Sequence, residues 1–145
     1  MMNKNTSTAI CSILGASGVA LGALAAHALK NMIGDNFTLS QFDAFDTATK
    51  YQLIHAIVLL IVISMNENVS SIWLRRSINF LISGILFFSG SIYFLSTQQL
   101  IGISLPKFIG ILTPIGGILL IAGWICIGMN VSKMKKESSQ PKKHE

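Results

Sequence analysis

Four stretches of the chain, Ala9–Leu29, Tyr51–Met65, Ile78–Leu95 and Phe108–Met129, contain no Asp, Glu, Lys or Arg. All six acidic residues (Asp35, Asp43, Asp46, Glu67, Glu137 and Glu145) and all eleven Lys and Arg fall between or beyond them. A charge held in lipid is costly, so so clean a partition is what helices crossing a bilayer require. Such a helix needs about 20 apolar residues, within a range of about 17–25. The first and fourth stretches meet that length, the third nearly does, and the second, with 15 residues, must draw on its flanks. At 145 residues, 51% hydrophobic and 12% charged, the chain has no room for a separate soluble core. The expectation is an all-α, integral membrane four-helix bundle that forms a single domain over residues 1–145. Its four transmembrane helices are expected at about residues 9–29, 47–65, 77–97 and 107–129, followed by a basic tail at 130–145.

An even number of spans puts both termini on one side. Lys4, Arg75, Arg76 and the tail lysines 133, 135, 136, 142 and 143 place eight positive charges there, against three (Lys30, Lys50 and Lys107) on the other side. By the positive-inside rule both termini are then cytoplasmic, and the setting is a plasma membrane, the inner membrane of a bacterium. Trp73 and Trp124 are expected toward the same face as interfacial aromatics. The net charge of +5 and a pI of about 9.5 are accounted for by this topology, so no nucleic acid partner is inferred. The tail reads as a disordered, basic topology signal that touches anionic membrane lipid. The first stretch reads as a span rather than a cleavable signal peptide, because its apolar run exceeds the roughly 7–15 residues of a signal's core.

Helices in lipid associate through close backbone approach and interhelical hydrogen bonds. Gly18, Gly22 and Ala26 form a small-residue ridge on the first span, and Gly84, the Ser89–Ser91 run, Gly110, Gly116, Gly117 and Gly123 supply the third and fourth. Such ridges are read as internal packing faces; the alternative is a contact with a second copy or another membrane protein. Pro114 deletes one backbone donor and is expected to kink the fourth helix. Cys11 and Cys126 are expected as free, buried thiols that pack as small apolar groups. Ser40, with Asp43 three residues on, is expected to start the second helix near Gln41, and Asp46 and Lys50 have the i, i+4 spacing of an ion pair.

Polar side chains remain inside or at the edges of the spans. His27 and Lys30 close the first; Tyr51, Gln52 and His55 lie in the second; Ser89 and Tyr93 in the third; Thr113 in the fourth. The antiparallel order of the spans predicts that these residues form one layer, with His27 and His55 at similar depth on adjacent helices and therefore coupled. The favoured reading of the layer is a hydrogen-bonded register device, with Lys30 extending its ammonium to the head groups. Two other readings stay open. The histidines could ligate a metal or haem iron, although two imidazoles without a nearby carboxylate or thiolate are a weak donor set. A small-molecule or proton-linked transporter would have to use the same histidines, because no carboxylate lies within a span. No nucleophile–base pair, phosphate-binding loop or metalloprotease spacing occurs. Catalytic, cofactor-binding and metal-ligating residues are accordingly none, no cofactor is inferred, and the chain reads as a non-enzymatic membrane scaffold or accessory protein.

The segments "GALAAHALK" (Gly22–Lys30), "FDTATKYQLIHA" (Phe45–Ala56), "FSGSIY" (Phe88–Tyr93) and "TPIGGILLIAGW" (Thr113–Trp124) resemble the small bacterial membrane proteins of domain of unknown function 423. That family is also called uncharacterised protein family 0382 and is similar to the eukaryotic transmembrane protein 256. The resemblance implies four membrane-spanning helices and brings no substrate, cofactor or catalytic residue with it. It adds weight to His27, Lys30, Thr47, Tyr51, Gln52, His55, Ser89, Gly90, Ser91, Tyr93, Thr113 and Pro114. The chain departs from the family at Ala25, where glycine is more usual.

Overall fold

The computed structural model describes residues 4–34, 37–65 and 72–138 of the chain. Its elements are α1 (Lys4–His27), a short 3-10 turn (Leu29–Met32), α2 (Leu39–Met65), α3 (Ile72–Thr97) and α4 (Ile109–Ser138). Four candidate spans of 22 to 29 residues follow these helices, the first running from α1 through the 3-10 turn to Met32, and each satisfies the length that a bilayer demands. In each span fewer than half of the residues are buried within the protein. The outward side chains are Ile, Leu, Val and Phe, among them Ile13, Val19, Ile57, Phe94, Ile118 and Ile125. Surface of that kind, all round the four helices, requires lipid as solvent.

The helices are laid down in chain order, with the large interfaces α1 on α2, α2 on α3 and α3 on α4. Glycine sets the closest approaches. A Cβ on Gly116 would run into the backbone nitrogen of Phe88, so α4 touches α3 main chain to main chain at this point. Gly84 takes Leu120, and Gly123 takes Leu81. On α1, Gly18 faces Leu53 and Gly22 faces Thr49, so the ridge read from the sequence is the α1–α2 contact. Its last member differs: Ala25 is buried and Ala26 is exposed. The main core gathers Leu14, Leu59, Leu74, Leu81, Ile85 and Leu120 from all four helices.

Other expectations are corrected locally. The helix α2 starts before Ser40, at Leu39, and its cap is Thr38. Thr38 Oγ1 accepts from the Gln41 amide at 3.2 Å, and Gln41 Oε1 accepts from the Thr38 amide at 2.8 Å. This reciprocal capping box satisfies two of the free amides at the helix start. Phe37 before the cap and Phe42 beyond it join one apolar cluster with Leu29 and Phe45, as a hydrophobic staple would. The Asp46–Lys50 ion pair forms on the exposed face. Arg75 and Arg76, expected in a loop, belong to the start of α3, where the Arg76 guanidinium lies 5.1 Å from the Trp73 ring centre. The helix α4 runs through Pro114 without a break and continues to Ser138, past the expected boundary of the tail. Asp35, Glu67 and the tail beyond Ser138 lie outside the described residues.

Candidate functional site

Gln52 organises the polar interior. It projects from the middle of α2 and is 4% exposed. Its Nε2 donates to the Leu14 carbonyl at 2.7 Å and to Ser17 Oγ at 2.8 Å, both on α1. Its Oε1 accepts from the Tyr93 hydroxyl on α3 at 3.0 Å. A primary amide offers two hydrogens and one oxygen, so both hydrogens and the oxygen are engaged. Thr49, one turn earlier, gives its hydroxyl to the Phe45 carbonyl and is a longer second acceptor for Tyr93 at 3.4 Å. Ser89 donates to the Ala48 carbonyl at 2.8 Å, a further bond between α3 and α2. Ser91 Oγ and Thr113 Oγ1, 2.7 Å apart, join α3 to α4. Cys11 adds a thiol bond to the Ala56 carbonyl at 3.2 Å, and both cysteines are free and buried.

His55 belongs to a different contact. Its Nδ1 lies 2.7 Å from the Tyr51 carbonyl, and its Nε2 lies 3.3 Å from the indole nitrogen of Trp124. A carbonyl only accepts and an indole N–H only donates. The two bonds therefore assign His55 as the neutral imidazole with its proton on Nδ1, and both ring nitrogens are used. Tyr51 stacks on the His55 ring at 5.8 Å and lies tilted against Phe88 at 4.7 Å between centroids. Together these side chains line a cavity of about 510 Å³ between α2 and α4, with Phe88 and Gly117 also on its lining.

The structure thus brings together Tyr51 with His55, Gln52 with Tyr93, Ser89 with α2 and Thr113 with α3. It does not bring His27 or Lys30 to any of them; both are exposed at the end of α1 and in the turn that follows. The expected meeting of His27 with His55 is corrected by helix register. Gln52 opposite Ser17 and Thr49 opposite Gly22 set the alignment of α1 against α2. Extended to the end of α1, that alignment puts His27 level with the region of Asp43, about 18 Å from His55 at 1.5 Å per residue. Trp124, expected toward the face of the termini, also contacts His55. Three participants escaped the sequence reading: Ser17, Thr49 as an acceptor, and Trp124 as a donor. Ser17 left a signal, since it adjoins Gly18 on the small-residue ridge. Thr47, exposed on α2, is not part of the network. Among the described residues no three of His, Cys, Asp and Glu come together in a way that could hold a metal ion.

Four lipid-exposed helices stitched by internal hydrogen bonds define a multi-pass integral membrane protein. Residues 21–117 match the family described as "Protein of unknown function (DUF423)". The chain is 39% identical over 121 residues to UPF0382 membrane protein SAB0533 of Staphylococcus aureus, an alignment covering 79% of this chain and 88% of that protein. It is 34% identical over 110 residues to UPF0382 membrane protein YwdK of Bacillus subtilis, covering 75% and 81% of the two chains. It is 31% identical over 127 residues to UPF0382 inner membrane protein YgdD of Escherichia coli, covering 87% and 88%. The chain belongs to this family of membrane proteins. No solved structure matches it significantly.

Proposed function

We propose that the protein is a non-enzymatic scaffold or accessory protein of the plasma membrane, with both termini and the α2–α3 connection in the cytoplasm. The observation that carries this reading is Gln52, whose amide is occupied by α1 and α3 together. A buried polar group used in this way holds helices in register, and both of its N–H hydrogens are committed to that role. The proton-linked and metal-ligating alternatives both depend on His55, and each of its ring nitrogens already has a protein partner. The orientation rests on the eight positive charges on the side of the termini against three opposite. The Escherichia coli relative is named an inner membrane protein, which supports the choice of membrane.

Reporter fusions after Lys30, after Gln99 and at the C-terminus test the orientation; a cytoplasmic signal after Lys30 would overturn it. The scaffold role is tested by affinity purification of the full chain from native membranes after cross-linking. The expected result is a stoichiometric membrane-protein partner that is retained in the His55→Ala variant. A Soret band, stoichiometric metal lost in His55→Ala, or substrate flux in proteoliposomes driven by a pH gradient would replace the reading.

A further inference from the structure

We propose that the outward side of α2 between Asp43 and Lys50 docks the head group of an amine-bearing phospholipid, drawn below the level of the surrounding head groups. The phosphate lies on Lys50 and the amine on Asp46 and Asp43. The inference goes beyond the scaffold reading and depends neither on it nor on which leaflet is cytoplasmic.

Depth is the first argument. Ser89 of α3 is bonded to the Ala48 carbonyl of the antiparallel α2, so Lys50 is level with Phe87 and Asp43 with Phe94. The Ser91–Thr113 bond and the contact of Gly116 with Phe88 carry the level of Lys50 on to Gly117 of α4. From Arg76, near the other end of α3, to Phe87 is eleven residues, about 17 Å along the helix. A hydrocarbon core is about 30 Å thick. One that begins at Arg76 therefore runs about 13 Å past Lys50, beyond the level of Asp43.

The neighbouring helices match such a core, and α2 does not. Around the level of Lys50 the exposed side chains are Phe87 on α3 and Ile115 and Ile118 on α4. On α2 they are Thr47 and Lys50, with Asp46 and Asp43 above them, and the Lys50 side chain is 68% exposed. The apolar outward face of α2 begins only at Ile54 and Ile57. Charges held in a span normally face the interior of the bundle, and outward ones are accommodated by local thinning of the bilayer. Head groups are thus brought down along α2 while acyl chains cover α3 and α4 at the same level.

The order of the charges selects the head group. Lys50 is deepest, Asp46 lies one turn above it and Asp43 another turn above that. A phospholipid of this leaflet carries its phosphate next to the glycerol and any amine farther out, which is the complementary order. Lys50 is paired with Asp46, and an ammonium has three hydrogens, so two are left for phosphate oxygens. Thr47 is exposed, and its hydroxyl has no partner among the described residues. Asp43 is exposed and has no hydrogen bond or ion pair among them, which leaves its carboxylate for the amine. A second copy fits less well: a two-fold axis along the membrane normal would set Lys50 against Lys50 and Asp46 against Asp46.

The test uses the full chain in nanodiscs of equal phosphatidylethanolamine and phosphatidylglycerol with identical acyl chains. After release into the gas phase, native mass spectrometry should show phosphatidylethanolamine retained over phosphatidylglycerol by roughly twofold to fivefold, the scale of an exposed ion pair. Asp46→Lys combined with Lys50→Asp keeps an i, i+4 pair but inverts its order, and should erase the preference. Spin labels at Thr47→Cys, Phe87→Cys and Ile115→Cys, in a Cys11→Ala, Cys126→Ala background, report depth by collision with a water-soluble nickel chelate and with oxygen. The label at position 47 should be at head-group depth and the other two in hydrocarbon. Equal depth for all three would overturn the proposal. So would equal retention of the two lipids by the parent, a preference that survives the charge inversion, or dipolar broadening between labels at position 47, which would mean a second copy on this face. If the background without cysteine does not fold, the mass spectrometry, which needs no cysteine change, decides the matter by itself.

Discussion

The Tyr93 hydroxyl donates to Oε1 of Gln52 across 3.0 Å, and that bond completes an amide whose two N–H hydrogens are already committed to α1. Three helices therefore meet at one side chain. In lipid, where apolar surface gains little by leaving its solvent, such a junction and the glycine contacts are what select one arrangement of the helices. Interhelical hydrogen bonds in membranes average about 0.6 kcal/mol, with a maximum near 1.7, so the junction orders the helices without making them immovable.

Gln52→Ala and Tyr93→Phe should be coupled. Each variant alone removes the Gln52–Tyr93 bond, and Gln52→Ala also strips the α1 contacts. Unfolding in detergent should show Gln52→Ala as the more costly, at about 1–2 kcal/mol. The double variant should cost less than the sum by about 0.5–1.5 kcal/mol. Strict additivity would mean that the bond does not form in the folded protein.

The two histidines should be independent. His55 is buried against Tyr51 and Trp124, while His27 is exposed at the end of α1. The His27→Ala and His55→Ala effects should therefore add to within about 0.3–0.5 kcal/mol. His27→Ala alone should be close to neutral, and His55→Ala should shift Trp124 emission because the indole loses its acceptor. An interaction energy above about 1 kcal/mol would place the histidines in one network.

Neighbouring glycines should respond differently. Gly116→Ala puts a Cβ onto the main chain of Phe88, where no flexible side chain can yield. Overpacking of this sort costs about 1–3 kcal/mol. Gly117→Ala meets only the edge of the Phe88 ring at ordinary distance and should be tolerated. Equal midpoints for the two variants in a detergent unfolding series would contradict the packing of α4 on α3.

The sequence by itself determined that this is a four-span, all-helical membrane protein, because charge exclusion and apolar length are summed along the chain and need no partner. It also marked Gly18 and Gly22 as a packing face and Gln52, Tyr93 and Ser89 as polar groups needing company, since a polar atom in lipid has few alternatives. Only the tertiary structure decided which company. His55 pairs with Trp124, 69 residues away, instead of His27, and Gln52 finds Ser17, which adjoins Gly18 on the small-residue ridge. The Thr38 cap, in place of Ser40, depended on the Gln41 side chain folding back on the backbone. The physical reason is that pairing follows from rotation and register: one residue turns a helix face by about 100° and moves it 1.5 Å. Hydropathy averaged over a span is blind to displacements of that size, and the seating of Leu53 over Gly18 and of Phe88 against Gly116 is what resolves them.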